Sequence, residues 1–131
     1  MLIQRATDMI MASPTAKIGC MGLAFKANID DFRESPAMKV AAELAQRFGQ
    51  RVQIVEPYAS TLPKEFDGTG ARLIDIDTAL LECDMLITLV DHDAFKAIPL
   101  AERADKIVYD VRGIWHDQPG QVPHRQLRLV G

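Results

Sequence analysis

Apolar residues in this sequence gather in short continuous runs separated by polar segments. Four runs are typical of buried strands: residues 17–23 (KIGCMGL), 51–57 (RVQIVEP), 84–90 (DMLITLV) and 106–111 (KIVYDV). The run 84–90 is apolar at successive positions, so both faces of that strand are expected to be buried in the centre of a sheet.

Helical spacing is found between these runs. Apolar residues recur three or four positions apart over residues 2–11, and a Ser-Pro pair is expected to end this first helix. A second helix is predicted after Ser35, a good N-cap, with Pro36 at the first helical position. Gly49 is expected to end it.

The alternation of strands and helices predicts the fold class. It is α/β: a Rossmann-like, doubly wound parallel sheet covered on both sides, with three α/β/α layers. Ligands of such sheets bind outside the carboxyl ends of the strands. Three charged segments follow strands and are therefore expected at that edge: residues 24–34, 91–93 and 110–113.

The segment 24–34 is unusual in length and charge. Its eleven residues include two cations and three carboxylates, whereas strand-to-helix connections usually run about two to six residues. We therefore expect an ordered, ligand-facing loop. Lys26 and Arg33 suit a diphosphate near a helix N-terminus, or they pair with the neighbouring carboxylates. Arg112 has the same two interpretations: a ligand contact beside the permissive Gly113, or a salt bridge with Asp110.

The glycines of the first strand do not form a nucleotide-binding fingerprint. Gly19 and Gly22 give G-x-x-G, which is neither the dinucleotide motif nor the P-loop. An independent NAD site in this chain is therefore not expected. Glu56, at the end of the second strand, is interpreted as a solvated strand end.

The remaining polar candidates are interpreted structurally. One aspartate of the Asp-His-Asp sequence at 91–93 is expected to cap a short helix, which leaves little room for catalysis there. Trp115, the only tryptophan, is expected to be a packing anchor. His116 and His124 are expected to be exposed. No metal site is predicted.

Composition excludes several classes of protein. A chain of 131 residues with 48% hydrophobic content forms one domain, and a net charge of −3 gives no support for nucleic-acid or membrane binding. Cys20 and Cys83 lie in or beside apolar runs without metal-site spacing, so we expect buried, reduced thiols of a cytoplasmic protein.

Two segments, KIGCMGLAFKANIDDFRESPA and YDVRGIW, resemble the UDP-glucose/GDP-mannose dehydrogenase family, and within it the C-terminal UDP-sugar-binding domain. The resemblance covers nearly all of residues 16–118. The details ANIDDFRESPA and RGIW are most similar to members that oxidise UDP-N-acetyl-D-mannosamine; UDP-glucose and GDP-mannose are the alternative substrates.

The resemblance implies an NAD-dependent, two-step oxidation of a sugar 6-hydroxyl to a carboxylate, in the synthesis of cell-surface polysaccharide precursors. It implies that Phe25, Lys26 and Arg112 contact the UDP-sugar and that Arg33 reaches NAD held by another domain. It also implies a homodimeric full-length enzyme. These three cations are expected to converge on one pocket for an anion.

The family's N-terminal NAD-binding domain and central catalytic domain are not recognised in this chain. Residues 1–14 are therefore expected to be the end of an interdomain helix and residues 15–131 the C-terminal domain, which by itself would not oxidise sugars. A competing interpretation is a non-catalytic α/β interaction or regulatory module, such as a receiver-like domain with Asp91 or Asp110 as phosphoacceptor.

Overall fold

Five parallel strands and five helices make up the fold in the computed structural model, which describes residues 2–119. The strands are β1 (Ile18–Met21), β2 (Val52–Val55), β3 (Arg72–Ile74), β4 (Met85–Thr88) and β5 (Ile107–Asp110). The helices are α1 (Leu2–Ala12), α2 (Pro36–Phe48), α3 (Ile76–Glu82), α4 (Asp93–Lys96) and α5 (Leu100–Arg103), with 3₁₀ turns at Gly49–Arg51 and Lys64–Phe66.

The order of the strands in the sheet is β3-β2-β1-β4-β5, and every neighbouring pair is parallel. Ile18 of β1 lies opposite Val52 of β2 on one side and Met85 of β4 on the other. The chain therefore reverses its direction of winding between β1 and β4. This confirms the predicted doubly wound sheet and locates its topological switch point between the loops that follow β1 and β4.

Alternate residues of each strand build two separate apolar layers. Cys20, Ile54 and Ile87 belong to the cluster that includes buried residues of α1 and α2. Their chain neighbours Met21, Val55 and Leu86 belong to the cluster with α3, α4 and the buried Trp115. Since successive side chains of a strand point to opposite faces, the arrangement is the predicted α/β/α sandwich.

Helix α2 begins and ends where its sequence indicates. The Ser35 hydroxyl accepts a hydrogen bond from the Met38 N–H at 3.3 Å, Pro36 occupies the first turn, and Gly49 at the C-cap has a φ of 60°. These local signals mark both ends of the helix.

The sequence-based interpretation missed one strand. β3 has only three residues, follows Gly70 and pairs with β2 alone, so it lies at an edge with little burial. Such a short, half-exposed strand leaves no continuous apolar run to recognise.

The predicted cap of the helix after β4 is also wrong. The N-cap position of α4 is His92, whose side chain makes no capping hydrogen bond, and Asp93 is already inside the helix. Trp115 is buried as expected, and its indole N–H donates to the Phe95 carbonyl at 2.9 Å. His116 is exposed, whereas His124 lies outside the described residues.

The helices between residues 2 and 119 are all too short or too polar to cross a lipid bilayer.

Candidate functional site

The two loops at the switch point are packed directly against each other. Gly22, which ends β1, has a φ of 107°, and a Cβ at this position would lie 2.5 Å from Cβ of Val90. Leu89 N–H donates to the Met21 carbonyl at 2.9 Å. Only glycine permits this close approach, so the turn that leaves β1 packs directly against the residues that follow β4.

Glu56, directly after β2, fixes the start of the connection between β1 and α2, residues 24–34, which is called the β1 loop below. Its Oε1 accepts hydrogen bonds from the N–H groups of Leu23 at 2.8 Å and Ala24 at 3.2 Å, and its Oε2 accepts one from Tyr58 N–H at 3.0 Å. The side chain is fully buried. Burial raises the pKa of the Glu56 carboxyl, but hydrogen bonds from His92, Leu23 and Tyr58 outweigh burial and hold the pKa below its ordinary value.

The expectation of a solvated strand end at Glu56 is therefore wrong. Every hydrogen bond to this carboxylate comes from a backbone N–H or from a residue distant in sequence. An acid directly after an apolar strand gives no sign of this by itself, because three of its four donors become neighbours only in the folded sheet.

His92 links Glu56 to the middle of the loop. Its Nε2 lies 3.0 Å from Oε1 of Glu56, and its Nδ1 accepts a hydrogen bond from Asn28 N–H at 2.8 Å. Since Nδ1 is the acceptor, Nε2 carries the ring proton and donates a hydrogen bond to Glu56. Asn28 Oδ1 in turn accepts from Asp93 N–H at 2.9 Å, so both the backbone and the side chain of Asn28 attach the loop after β1 to the segment after β4.

Ser35 fixes the end of the β1 loop. Besides capping α2, its hydroxyl donates to the Ala24 carbonyl at 3.1 Å, which joins the first residue of the loop to the residue that directly follows the loop. Phe25 N–H donates to the Asp31 carbonyl at 2.9 Å across the loop. The connection is therefore a closed, ordered loop of the kind that often carries function.

The predicted contact residues of this loop are displayed outward. Phe25 is 60% exposed, an unusual state for an aromatic side chain, and Lys26 is exposed beside it. The Arg33 side chain is 89% exposed, and its Nε pairs with Asp31 Oδ1 at 3.2 Å. Hydrogen bonds from Arg33 lower the pKa of the Asp31 carboxyl.

Arg33 and Phe25 share a shallow cleft of about 450 Å³, which Asp31 and Glu34 complete. A neighbouring cleft of about 380 Å³ extends from Arg33 toward Lys64 and Glu65. Neither cleft includes Lys26 or Arg112. Arg33 thus faces the β2 side of the loop, and the expected convergence of three cations on one pocket stays a prediction.

Arg112 is held at the same edge of the sheet, after β5. Asp110 accepts hydrogen bonds from the N–H groups of Ile114 at 3.1 Å and Trp115 at 2.7 Å, so its carboxylate shapes the turn. The Arg112 guanidinium pairs with Asp91 at 3.5 Å, and its side chain is 45% exposed. The alternative of an Arg112–Asp110 salt bridge is wrong, because Asp110 is occupied by the backbone.

A larger cleft of about 590 Å³ lies beyond the ends of β2 and β3. Its lining includes two aspartates, Asp75 and Asp77, and no cationic residue. Asp75 is engaged as the N-cap of α3, where it accepts from Thr78 N–H at 2.8 Å. An anionic diphosphate would be repelled here, so the cleft does not compete with the β1 loop as a diphosphate site.

The two thiols are unsuited to nucleophilic chemistry. Burial raises the pKa of Cys20 to about 12 and that of Cys83 to about 11. Both cysteines are free and buried, as expected.

Taken together, the carboxyl edge of the sheet offers exposed cations, an exposed aromatic ring and fixed loops, an arrangement that can bind and orient an anionic ligand.

Comparison with known proteins identifies relatives of this arrangement. Residues 19–117 match the model of the UDP-glucose/GDP-mannose dehydrogenase family, UDP binding domain. A UDP-N-acetyl-D-mannosamine dehydrogenase of Salmonella typhi is 48% identical over 99 residues, which cover 76% of this chain and 23% of that protein. The chain thus spans about a quarter of the length of such relatives.

Two solved structures have the same fold. A GDP-mannose dehydrogenase from Pseudomonas aeruginosa, in a ternary complex, matches with a TM-score of 0.61 and 26% identity, over 81% of this chain and 27% of that one. A UDP-N-acetyl-mannosamine dehydrogenase from S. aureus matches with a TM-score of 0.63 and 22% identity, over 86% of this chain and 26% of that one.

Proposed function

Because the chain belongs to the UDP-glucose/GDP-mannose dehydrogenase family, as its UDP-binding domain, we propose that it is the nucleotide-sugar-binding part of a UDP-N-acetyl-D-mannosamine 6-dehydrogenase. The observation that supports this most is the β1 loop. It is held at the switch point of the sheet by buried hydrogen bonds, and it displays Phe25 and Lys26 to the outside.

In this proposal the domain binds the substrate and the remainder of the enzyme carries out the chemistry. Lys26 is placed on the diphosphate, Phe25 beside the nucleotide sugar, and Arg112 reaches the same ligand from the β5 loop. A fixed cation orients a diphosphate without bond making or breaking, and orientation alone is worth several orders of magnitude in rate. Asp91, which pairs with Arg112, keeps that guanidinium in place until the ligand arrives.

NAD, which accepts the hydride in each of the two oxidation steps, would be held mainly by another domain. The connection after β1 is not the tight glycine-rich turn that binds the pyrophosphate of a dinucleotide, since an eleven-residue loop precedes Ser35, the N-cap of α2. Arg33 fits a contact at the edge of that cofactor, because its side chain extends into solvent from the far flank of the loop. We expect no sugar oxidation by this chain alone.

Two further features belong to the proposal. The reduced, buried thiols support a cytoplasmic enzyme. The end of an interdomain helix at residues 1–14 and the homodimer of the full-length enzyme stay predictions.

The proposal is tested by titrating this chain with UDP, UDP-N-acetyl-D-mannosamine and GDP while following amide chemical shifts by NMR. We expect the uridine compounds to shift amides of residues 23–34 and 111–114. Lys26→Ala and Arg112→Ala should each weaken binding about tenfold, as expected for the loss of one charge-assisted contact to a phosphate. Lys39→Ala, at an exposed position on α2, is the matched control and should leave the affinity unchanged.

Equal affinities for the Lys26, Arg112 and Lys39 variants would show that the two cations are not ligand contacts. Tighter binding of GDP than of UDP would favour GDP-mannose as the substrate, consistent with the likeness to the Pseudomonas aeruginosa enzyme.

A further inference from the structure

One buried hydrogen-bond series remains outside the proposed ligand contacts. It runs from Glu56 through His92 to the backbone of Asn28. Glu56 and His92 have side chains with no exposure, so neither can touch a substrate. The series nevertheless ends on a loop residue only two positions from Lys26.

We infer that His92 is a positioning residue, which holds the β1 loop in its ligand-binding conformation by accepting the Asn28 N–H while Glu56 fixes the imidazole. The inference rests on the proposed function, in which this loop carries Phe25 and Lys26. It assigns a purpose to the central residue of the Asp-His-Asp sequence that neither capping nor catalysis explains.

The imidazole is held at both ring nitrogens and lies beside two other rings. Its Nε2–H points at Oε1 of Glu56, its ring lies 5.0 Å from that of Tyr58 and 5.2 Å from that of Phe95, and its Nδ1 is left with one acceptor direction. That direction is filled by the Asn28 N–H at 2.8 Å. Glu56 cannot move away in turn, because its carboxylate also holds Leu23 and Ala24.

Asn28 is a position that needs holding. Its φ of 62° lies in the left-handed region, which few residues other than glycine and asparagine adopt readily, so the loop turns sharply at this position. With the acceptor at Nδ1 removed, the N–H of Asn28 would lose a partly buried hydrogen bond, and the turn would lose one of its two attachments to the segment after β4. Lys26 and Phe25 would then no longer be displayed in one fixed arrangement.

Two substitutions of the same residue separate positioning from general stability. His92→Gln places an amide nitrogen near the original Nε2, so it keeps the contact with Glu56 and loses the acceptor for Asn28. His92→Asn places an amide oxygen near the original Nδ1, so it keeps the acceptor and loses the contact with Glu56. The exposed His116→Gln is the control.

The first readout is amide hydrogen exchange of the loop, which needs no ligand. We expect exchange of the Asn28 amide and its neighbours in residues 25–31 to accelerate about tenfold in His92→Gln, as for loss of one buried hydrogen bond, and to change little in His92→Asn. The second readout is affinity for UDP, which should fall about fivefold or more in His92→Gln and less than about twofold in His92→Asn.

Equal exchange rates in the two variants would overturn the inference, and so would UDP affinities that follow thermal stability rather than the Asn28 contact. If neither variant folds, the wild-type chain decides the question. A ¹⁵N–¹⁵N coupling across the hydrogen bond from Asn28 N–H to His92 Nδ1, together with slower exchange of that amide on addition of UDP, supports it. Absence of the coupling refutes it.

These results are separable from the proposed function. If the wild-type chain bound no UDP at about 10 mM, a concentration at which even a millimolar ligand saturates, nucleotide binding by this domain would fail. The exchange comparison would still decide whether His92 holds the loop.

Discussion

Replacing Glu56 by glutamine tests the buried carboxylate with the smallest change in shape. Oε1 of Glu56 accepts three hydrogen bonds, from Leu23, Ala24 and His92, and Oε2 accepts one, from Tyr58. The amide of a glutamine has one acceptor oxygen, so it must turn its NH₂ group toward Tyr58 N–H, where only one partner is lost. That leaves the partly buried Tyr58 N–H facing another donor, with no acceptor for either group, and removes the charge that strengthens the other three bonds.

The expected loss of unfolding free energy follows from these contacts. An unpaired buried N–H costs about 1 to 3 kcal/mol, and the weakening of three charge-assisted bonds adds to it. Relief from burying a charge offsets part of the loss. We expect a net destabilisation of about 2 kcal/mol at pH 7, measured by urea unfolding followed by far-UV circular dichroism. The exposed Glu102→Gln is the control and should change stability by less than about 0.5 kcal/mol.

The pH dependence has a defined sign. The pKa of Glu56 is lower in the folded protein, so its ionised form stabilises the fold fully above the unfolded pKa of about 4.3. This stabilisation is lost as the pH falls through the folded pKa. The difference between wild type and Glu56→Gln should therefore be constant from pH 7 to about pH 5 and should shrink below about pH 4. A difference that persists undiminished below that pH, or one no larger than for Glu102→Gln, would refute the assignment.

Three further predictions concern the rest of the fold. Gly22→Ala should destabilise the chain by about 3 kcal/mol or more in urea unfolding, because the added Cβ meets Val90 at 2.5 Å. Gly68→Ala, also at a positive φ but with open space around it, should lose only about 1 kcal/mol of unfolding free energy, and equal losses would mean that the contact with Val90 does not matter. Trp115→Phe should cost about 2 to 3 kcal/mol in urea unfolding followed by circular dichroism, since it removes the indole hydrogen bond to Phe95 and puts a smaller ring under Arg103; a neutral effect would contradict the anchoring role. Cys20 and Cys83 should react with a thiol reagent at pH 8 only in denaturant, because burial raises the pKa of both thiols; rapid modification of the native chain would show otherwise.

Local signals allowed much of the fold to be predicted. Ser35, Pro36 and Gly49 specify α2 through residues next to it in sequence, and the apolar run that contains β4 specifies a buried strand. The three predicted charged segments do follow the carboxyl ends of β1, β4 and β5, because that edge of the sheet follows from the parallel order alone. The strand β3 was missed, since its three residues are half exposed and its only partner is β2.

The site was less accessible to prediction because its supports are non-local. Glu56 and His92 are 36 residues apart, and each looks unremarkable in its own segment. Asn28 was invisible for the same reason: its left-handed backbone and its contacts with His92 and Asp93 require the β1 and β4 loops to be neighbours. Once the strand order is known, however, backbone N–H groups at the start of a long loop indicate that a buried acceptor must lie nearby.

The attachment of the β1 loop at both of its ends has an evolutionary consequence. Glu56 secures the backbone at Leu23 and Ala24, and Ser35 ties Ala24 to the first turn of α2. Between these ends, Asn28 is bonded to the segment after β4, so the loop is anchored at a few defined positions. The exposed side chains of Phe25 and Lys26 take part in none of these contacts, so substitutions there can change the surface of the loop while the scaffold folds unchanged. Variation of this surface therefore does not have to pass through unstable ancestors.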